Sequence, residues 1–291
     1  MFRLVVGILM ISLSAVFVKL VEVEPTATAF WRMFSGGVVL AAITLLRRES
    51  LWFGARYMLP AAVAALWFAG DLFFWHRSIL HVGPGLATLL ANFQVFLLAL
   101  AGFLLYRERP GVRQLIGIPL AFAGLVLLVL PEWGGGGDYR LGVAYGLVTA
   151  VCYAGYTLAL RSSRLGQVAS SNYANMAVLS LICAALLAPM ALAGGESLAI
   201  PSWEDAGWLL VYGVTGQVFG WVLISNALPK LNAAAVGLLL SMQPVGAYVW
   251  DILFFDRRLT ALQFTGGMLT LVAIYLGSLK ARSREQSQSM T

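Results

Sequence analysis

The chain has 291 residues, 60% of them hydrophobic and only 11% charged, with a mean hydropathy of +0.84. Soluble domains run nearer roughly 45–50% apolar and about 25% charged, so a soluble enzyme, a disordered protein and a nucleic-acid-binding module are excluded. The formal net charge of +6 comes from loop lysines and arginines and is not a nucleic-acid footprint.

A bilayer core of about 30 Å takes about 20 apolar residues of helix. Ten segments qualify in chain order: 3–21, 28–46, 57–79, 83–105, 113–130, 140–160, 170–193, 205–227, 232–255 and 262–280. The first has neither a basic leader nor a small-residue cleavage site before Glu22 and reads as a retained span. The runs are continuously apolar, which excludes a β-barrel with its alternating strands. Pro110 and Pro201 mark short connections, and Gly134–Gly137 followed by Asp138 is the longest flexible stretch. Cys152 and Cys183 lack metal-ligand spacing and read as free buried thiols, so no metal or cofactor is expected.

Most of the 19 lysines and arginines fall on one side if the N-terminus is inside: Arg3, Arg47, Arg48, Arg56, Arg107, Arg109, Arg113, Arg161, Arg164, Lys230, Lys280, Arg282 and Arg284. The acidic residues Glu22, Glu24, Glu132, Asp138, Glu196, Glu204, Asp205 and Asp256 fall on the other, with Arg77, Arg140, Arg257 and Arg258. Lys19 and Arg32 read as snorkelling near helix ends. An even number of spans places both termini in the cytoplasm.

Residues 83–130 and 232–279 align without a gap at an offset of 149. Leu89/Leu238, Leu90/Leu239, Gln94/Gln243, Leu104/Leu253, Arg109/Arg258, Gln114/Gln263, Gly117/Gly266 and Leu120/Leu269 are identical. Leucine matches are cheap in such a composition; the Gln, Arg, Gln and Gly matches in one register are not. Each half then holds five spans, and an odd number inverts the second half relative to the first. The predicted fold is an all-α integral membrane protein of ten transmembrane helices in two inverted five-helix repeats, 1–131 and 140–281, joined by a Gly-rich linker at 132–139 and followed by a cytoplasmic tail at 282–291. Such repeats mark secondary transporters with a substrate site near the midplane.

Polar groups at bilayer depth turn toward a cavity or a partner. Trp67, Asp71, Trp75 and Ser78 share a face of the third span; Thr149, Tyr153 and Tyr156 of the sixth; Gln217, Trp221 and Ser225 of the eighth; Ser241, Pro244, Tyr248 and Asp251 of the ninth. Asn92 and Gln94 stand on the fourth but point to different sides. The expected substrate-binding residues are Trp67, Asp71, Trp75, Asn92, Gln94, Tyr153, Tyr156, Gln217, Trp221, Gln243 and Tyr248. Rings give contact area and amides give orientation to a small organic solute. Each has a bland counterpart. Trp67 and Trp221 face either cavity or lipid, Gln94 and Gln243 serve either as binding groups or as inter-helix glue, and Asp71 either meets substrate or pairs with Arg77 or Lys19. Trp31, Trp203 and Trp208 read as an interfacial belt. His76 and His81 read as lying near the outer surface. Pro244 is expected to kink the ninth span.

The ten spans, the inverted halves and the pattern Arg107-Glu108-Arg109 … Gln114 … Gly117 resemble the EamA family of the drug/metabolite transporter superfamily. Phe30-Trp31-Arg32 is similar to that family's Arg-led second helix, and Asp71, Trp75, Ser78 and Ala87-Thr88-Leu89-Leu90-Ala91-Asn92 to one of its subgroups. Two positions depart from the family pattern: Val95 stands where a proline is common, and Arg257 where an acidic residue is usual. The resemblance implies a central cavity between spans 1, 3, 4, 6, 8 and 9, and alternating-access export of amino acids, including aromatic ones, or of related metabolites across the inner membrane. The partners expected are a small-molecule substrate and membrane lipid, with no nucleic acid, no cofactor and a monomer as the working unit.

Efflux or uptake of drugs and other metabolites is the alternative. An intramembrane aspartyl protease built on Asp71 and Asp251 is a remote one, since Asp251 follows Trp250 and no Pro-Ala-Leu loop occurs. No Gly-x-Ser-Gly supports a rhomboid-type protease, and no ring of charges or carbonyls supports a channel.

Overall fold

The computed structural model describes residues 2–106, 112–135, 137–164, 171–227, 242–256 and 258–278. Among these residues all regular structure is helical. The first apolar segment forms α1 (Phe2–Ser12) and α2 (Ser14–Leu20), with a break at Leu13. Next come α3 (Pro25–Leu46) and α4 (Ala55–Val82). The fourth segment divides into α5 (Pro84–Ala91) and α6 (Gln94–Tyr106), and the fifth is α7 (Val112–Val129). A 3-10 turn, Leu130–Gly135, leads to α8 (Gly137–Arg164). The Gly134–Gly137 run is therefore largely taken up by helical turns rather than by an open linker. Then follow α9 (Asn172–Ala193), α10 (Trp203–Gly213), a π-helical stretch (Val214–Trp221) and α11 (Val222–Ala227). The described part of the ninth segment is α12 (Met242–Phe255), and the tenth is α13 (Ala261–Ser278).

Among the described residues five stretches are long and apolar enough to cross a membrane: Pro25–Leu46, Met58–Val82, Gly137–Leu160, Asn172–Ala193 and Trp203–Asn226. Val6–Leu20, Pro84–Leu98, Leu115–Val129 and Ala261–Leu276 are shorter apolar helices. Large apolar side chains such as Leu66, Phe122, Phe219 and Phe264 stand exposed on the outside of the bundle, where lipid is their natural solvent.

Local signals end the helices. Pro25 opens α3, where a missing N–H costs nothing. Ser171 and Ser202 accept from the amides of Tyr173 and Asp205 at the starts of α9 and α10. Gly83, at φ 84°, turns the chain between α4 and the Pro84 that starts α5.

The main packing pairs are α4 with α8, α7 with α13 and α3 with α9, followed by α4 with α9, α5 with α12, α3 with α10, α5 with α8 and α1 with the π stretch. Small residues let them approach. A Cβ on Gly213 would strike Ser35 and the backbone of α3, and one on Gly36 would strike Gln217 and the carbonyl of Gly213. Pro244 lies near the start of the described part of α12, and residue 240, the carbonyl its ring would displace, lies outside the described residues, as does the expected kink. Ser241 lies outside the described residues.

At one end of the bundle, the segment after α9 is strapped over the start of α3. Glu196 accepts from the amides of Thr26 (2.7 Å) and Ala27 (3.1 Å) with one oxygen, and from the Thr26 hydroxyl (2.6 Å) and the Arg77 guanidinium with the other. Trp31 donates to the Leu198 carbonyl, the amide of Glu22 donates to Asp205, and the amide of Ser197 donates to Glu24. The helix N-terminus favours the carboxylate placed there.

Candidate functional site

A cavity of about 50 Å³ lies where α1, α3, α4, α5, α8, the π stretch and α12 meet. Its walls are Ile11 and Ser12; Arg32; Phe68, Asp71, Leu72 and Trp75; Thr88, Ala91 and Asn92; Tyr153; Trp221; and Gln243.

Three helix discontinuities converge on it. Ser12 precedes the break at Leu13; its hydroxyl donates to the Leu9 carbonyl and accepts from Trp250 Nε1 at 2.9 Å. Asn92 stands between α5 and α6, where the ladder shortens: Phe93 donates to Leu90 and Val95 to Asn92, each three residues back. The Asn92 amide side chain donates to the Thr88 carbonyl at 2.8 Å and so competes with the regular ladder. Trp221 ends the π stretch, whose wider turns carry it to the wall.

The apolar wall is aromatic. Phe68 stacks on Tyr156 at 4.3 Å, and the Trp221 ring meets both edge-on at 5.7 and 5.1 Å. The polar wall carries both charges. Arg32 is 3% exposed, its guanidinium 4.8 Å from the Tyr212 ring centre and 5.9 Å from that of Phe68. It donates one bond, to the Tyr212 hydroxyl at 3.0 Å, and its Nε has no partner. His76 Nδ1 faces the Leu72 carbonyl at 2.7 Å and must donate to it; Nε2 then accepts from the Tyr212 hydroxyl at 3.1 Å. This chain fixes Arg32 from behind. Asp71, 7% exposed, lies on the same cavity and makes no ion pair with Arg32. Among the described residues the ion pairs are Arg47–Glu49 and Arg77–Glu196. Arg77 is thereby engaged away from Asp71, and Lys19 sits over the Phe255 ring.

Of the residues expected from the sequence, Asp71, Trp75, Asn92, Tyr153, Trp221 and Gln243 line this cavity. Five do not. Tyr156 is buried behind the wall against Phe68. Gln94 accepts from Thr157 and, like Gln243, lies within hydrogen-bond reach of the Tyr153 hydroxyl. Gln217 turns to the α3–α9 seam, donating to Met33 Sδ and Ser180 Oγ, because the π stretch rotates it off the face it would share with Trp221. Tyr248 packs on Gly85. Trp67 lies over Gly155 and is partly exposed on the outside of the bundle. His76 is fully buried inside the bundle, whereas His81 is exposed. Asp251 accepts from the Gly85 amide at the start of α5, apart from Asp71. Among the described residues no cluster of His, Cys, Asp or Glu is placed to hold a metal ion.

The sequence did not point to Ile11, Ser12, Arg32, Phe68, Leu72, Thr88 or Ala91 as walls of this cavity. The signal for Arg32 was present. A helix starting at Pro25 puts it about 10 Å along the axis, too deep for a terminal snorkel.

Comparison with known proteins gives one consistent answer. The model of the EamA-like transporter family matches residues 1–130 and 140–279. The chain is 29% identical to the threonine/homoserine exporter RhtA of Salmonella typhimurium, over 90% of this chain and 83% of that protein. It is 25% identical to a probable amino-acid metabolite efflux pump of Escherichia coli, over 69% of each. A WAT1-related chloroplastic protein of Arabidopsis thaliana is 24% identical over 87% of this chain, which spans 62% of that relative's length. One crystal structure superposes with a TM-score of 0.67 at 21% identity, covering 98% of this chain and 96% of the other, and so shares its fold. The matched halves account for nearly all of the sequence, and the chain belongs to the EamA-like transporter family: it is a helical membrane transporter for small molecules, not an enzyme.

Proposed function

We propose that this transporter exports amino acids or closely related metabolites by alternating access, with its substrate held in the cavity between Arg32, Asp71 and the aromatic wall. The observation that carries this reading is the convergence of three helix discontinuities on one cavity holding an acid, a cation and rings. Broken helices at the midplane free backbone groups for a solute and supply the joints about which the halves rock. The amino-acid class is supported by the relatives named as a threonine/homoserine exporter and an amino-acid metabolite efflux pump. Aromatic side chains fit the wall of Phe68, Trp75 and Trp221.

The architecture proposed is ten transmembrane helices in two inverted halves, with both termini cytoplasmic and the Glu196 strap outside, in the inner membrane. The ungapped register at an offset of 149 supports it. So does the crossing of α7 and α13. Ala121 and Thr270 are equivalent in that register and both fully buried, and next to them Gly124 packs against Gly266 and Thr270. A pair related by a two-fold axis meets at equivalent positions. Asp71 receives the substrate's ammonium group, so that a proton and a substrate compete for one carboxylate.

Counterflow in proteoliposomes with a panel of radiolabelled amino acids tests this. Saturable exchange is expected, and Asp71→Asn should weaken it by about ten- to a hundredfold. Linear, unsaturable flux would replace the carrier reading with a channel. Unchanged affinity and pH dependence in Asp71→Asn would make Asp71 a structural residue.

A further inference from the structure

Arg32 has no role in the fold that its position requires. It is buried in the interior of an apolar helix, where an uncompensated charge is expensive. Its partners are a neutral hydroxyl and two ring faces. It forms no ion pair among the described residues, and its Nε is left without an acceptor. Asp71 lines the same cavity without reaching the guanidinium, which has no carboxylate in direct contact among the described residues. The His76–Tyr212 relay and the bare backbone of Gly216, where a Cβ would stand 3.3 Å from Nε, hold the guanidinium in place without neutralising it.

We infer that Arg32 is the receptor for the substrate's carboxylate, and that the cavity recognises an α-amino acid as a zwitterion, with Asp71 opposite. This deepens the export reading and rests on it. A planar guanidinium suits a carboxylate, which takes two of its N–H groups in parallel. Asp71 carries the complementary charge for the ammonium, Asn92 and Gln243 flank the pair, and Gln243 Nε2 is a further donor without a partner. The class selected is the free amino acid. Amines lacking a carboxylate, carboxamides and N-acylated amino acids each leave one of the two charges unmatched. The same charges argue against apolar drugs, which would strand both.

The test is competition in proteoliposomes containing the full chain, with labelled L-threonine and L-phenylalanine as probes. Unlabelled acid, its carboxamide and its N-acetyl derivative are the competitors. In the wild type the acid should compete at least about tenfold better than the carboxamide. In Arg32→Gln the acid should weaken by about ten- to a hundredfold while the carboxamide changes little, so that discrimination collapses. Arg32→Lys, which keeps the charge, should retain part of it. Melting of each variant in detergent checks folding, and the wild-type competition needs no variant at all. A wild type that exchanges no amino acid sinks the export reading. One that exchanges amino acids but accepts carboxamides equally sinks the Arg32 assignment alone. So does an Arg32→Gln variant that weakens acid and carboxamide alike, the mark of a residue that only shapes the wall.

Discussion

Gln94 and Gln243 occupy equivalent places in the repeat register on either side of Tyr153: Gln94 accepts from Thr157, one turn along α8, and Gln243 shares the cavity wall with Tyr153. The Tyr153 ring is buried among these amides, and taking away its hydroxyl removes a polar group from a cluster with little water to replace it. Tyr153→Phe is expected to destabilise the protein by about 1–3 kcal/mol, read as a lower melting temperature in detergent, and to weaken substrate competition through loosened walls. Both glutamines were visible in the sequence as a matched pair; the tyrosine between them was visible only as part of a stripe. Arg32 was misread for a physical reason. Starting the second span at residue 28 instead of Pro25 places it close to the surface, although Glu24-Pro25 is a recognisable helix start. Gln217 and Trp221 separated because an ideal 3.6-residue repeat was assumed through a stretch that is π-helical.

Among the elements, the apolar segments were legible because length and hydropathy alone decide them, and each is helical over its described residues. Their breaks were not. The α5–α6 break has Val95 where a proline would have announced it, and depends instead on Asn92 bonding back to Thr88. Gly213 at the end of α10 and Gly216 and Gly220 within the π stretch relieve crowding against Ser35, Arg32 and Ile11, contacts no single-segment reading can foresee. The Glu196 strap joins residues 170 positions apart and was equally hidden. It ties the start of α3 to the segment after α9, and Arg77 brings in α4. Glu196→Gln keeps the shape but removes the charge that Arg77 and the α3 N-terminus hold. Each hydrogen bond to a charged group contributes about 1.5–3 kcal/mol, so the substitution should loosen this end. The amides of Thr26 and Ala27 would exchange hydrogen faster, and cysteines introduced at cavity positions would label more readily from that side. Unchanged protection at Thr26 would show that the strap is not what holds this end shut.

At the scale of the molecule, α7 and α13 form a close pair whose crossing depends on having no side chain at Gly124 and Gly266. Gly266→Val forces a branched side chain against Leu127, Leu128 and the Gly124 carbonyl. Overpacking of this kind costs about 1–3 kcal/mol, expected as a lower melting temperature with substrate affinity intact, since the pair lies apart from the cavity. Cys152 and Cys183 are buried free thiols, and a membrane-permeant maleimide should label them only as the protein unfolds. The cavity's two opposed charges have an electrical consequence. Once a zwitterion has displaced the proton from Asp71, the loaded site of Arg32, Asp71 and substrate carries no net charge. Each elementary charge moved across the membrane couples to about 2.3 kcal/mol per 100 mV, so a carrier that reorients with no net charge at its site is blind to the membrane potential. Exchange of a neutral amino acid should produce no current on a supported membrane and should run at the same rate at any voltage, whereas Arg32→Gln, which leaves Asp71 unbalanced, should make turnover depend on voltage.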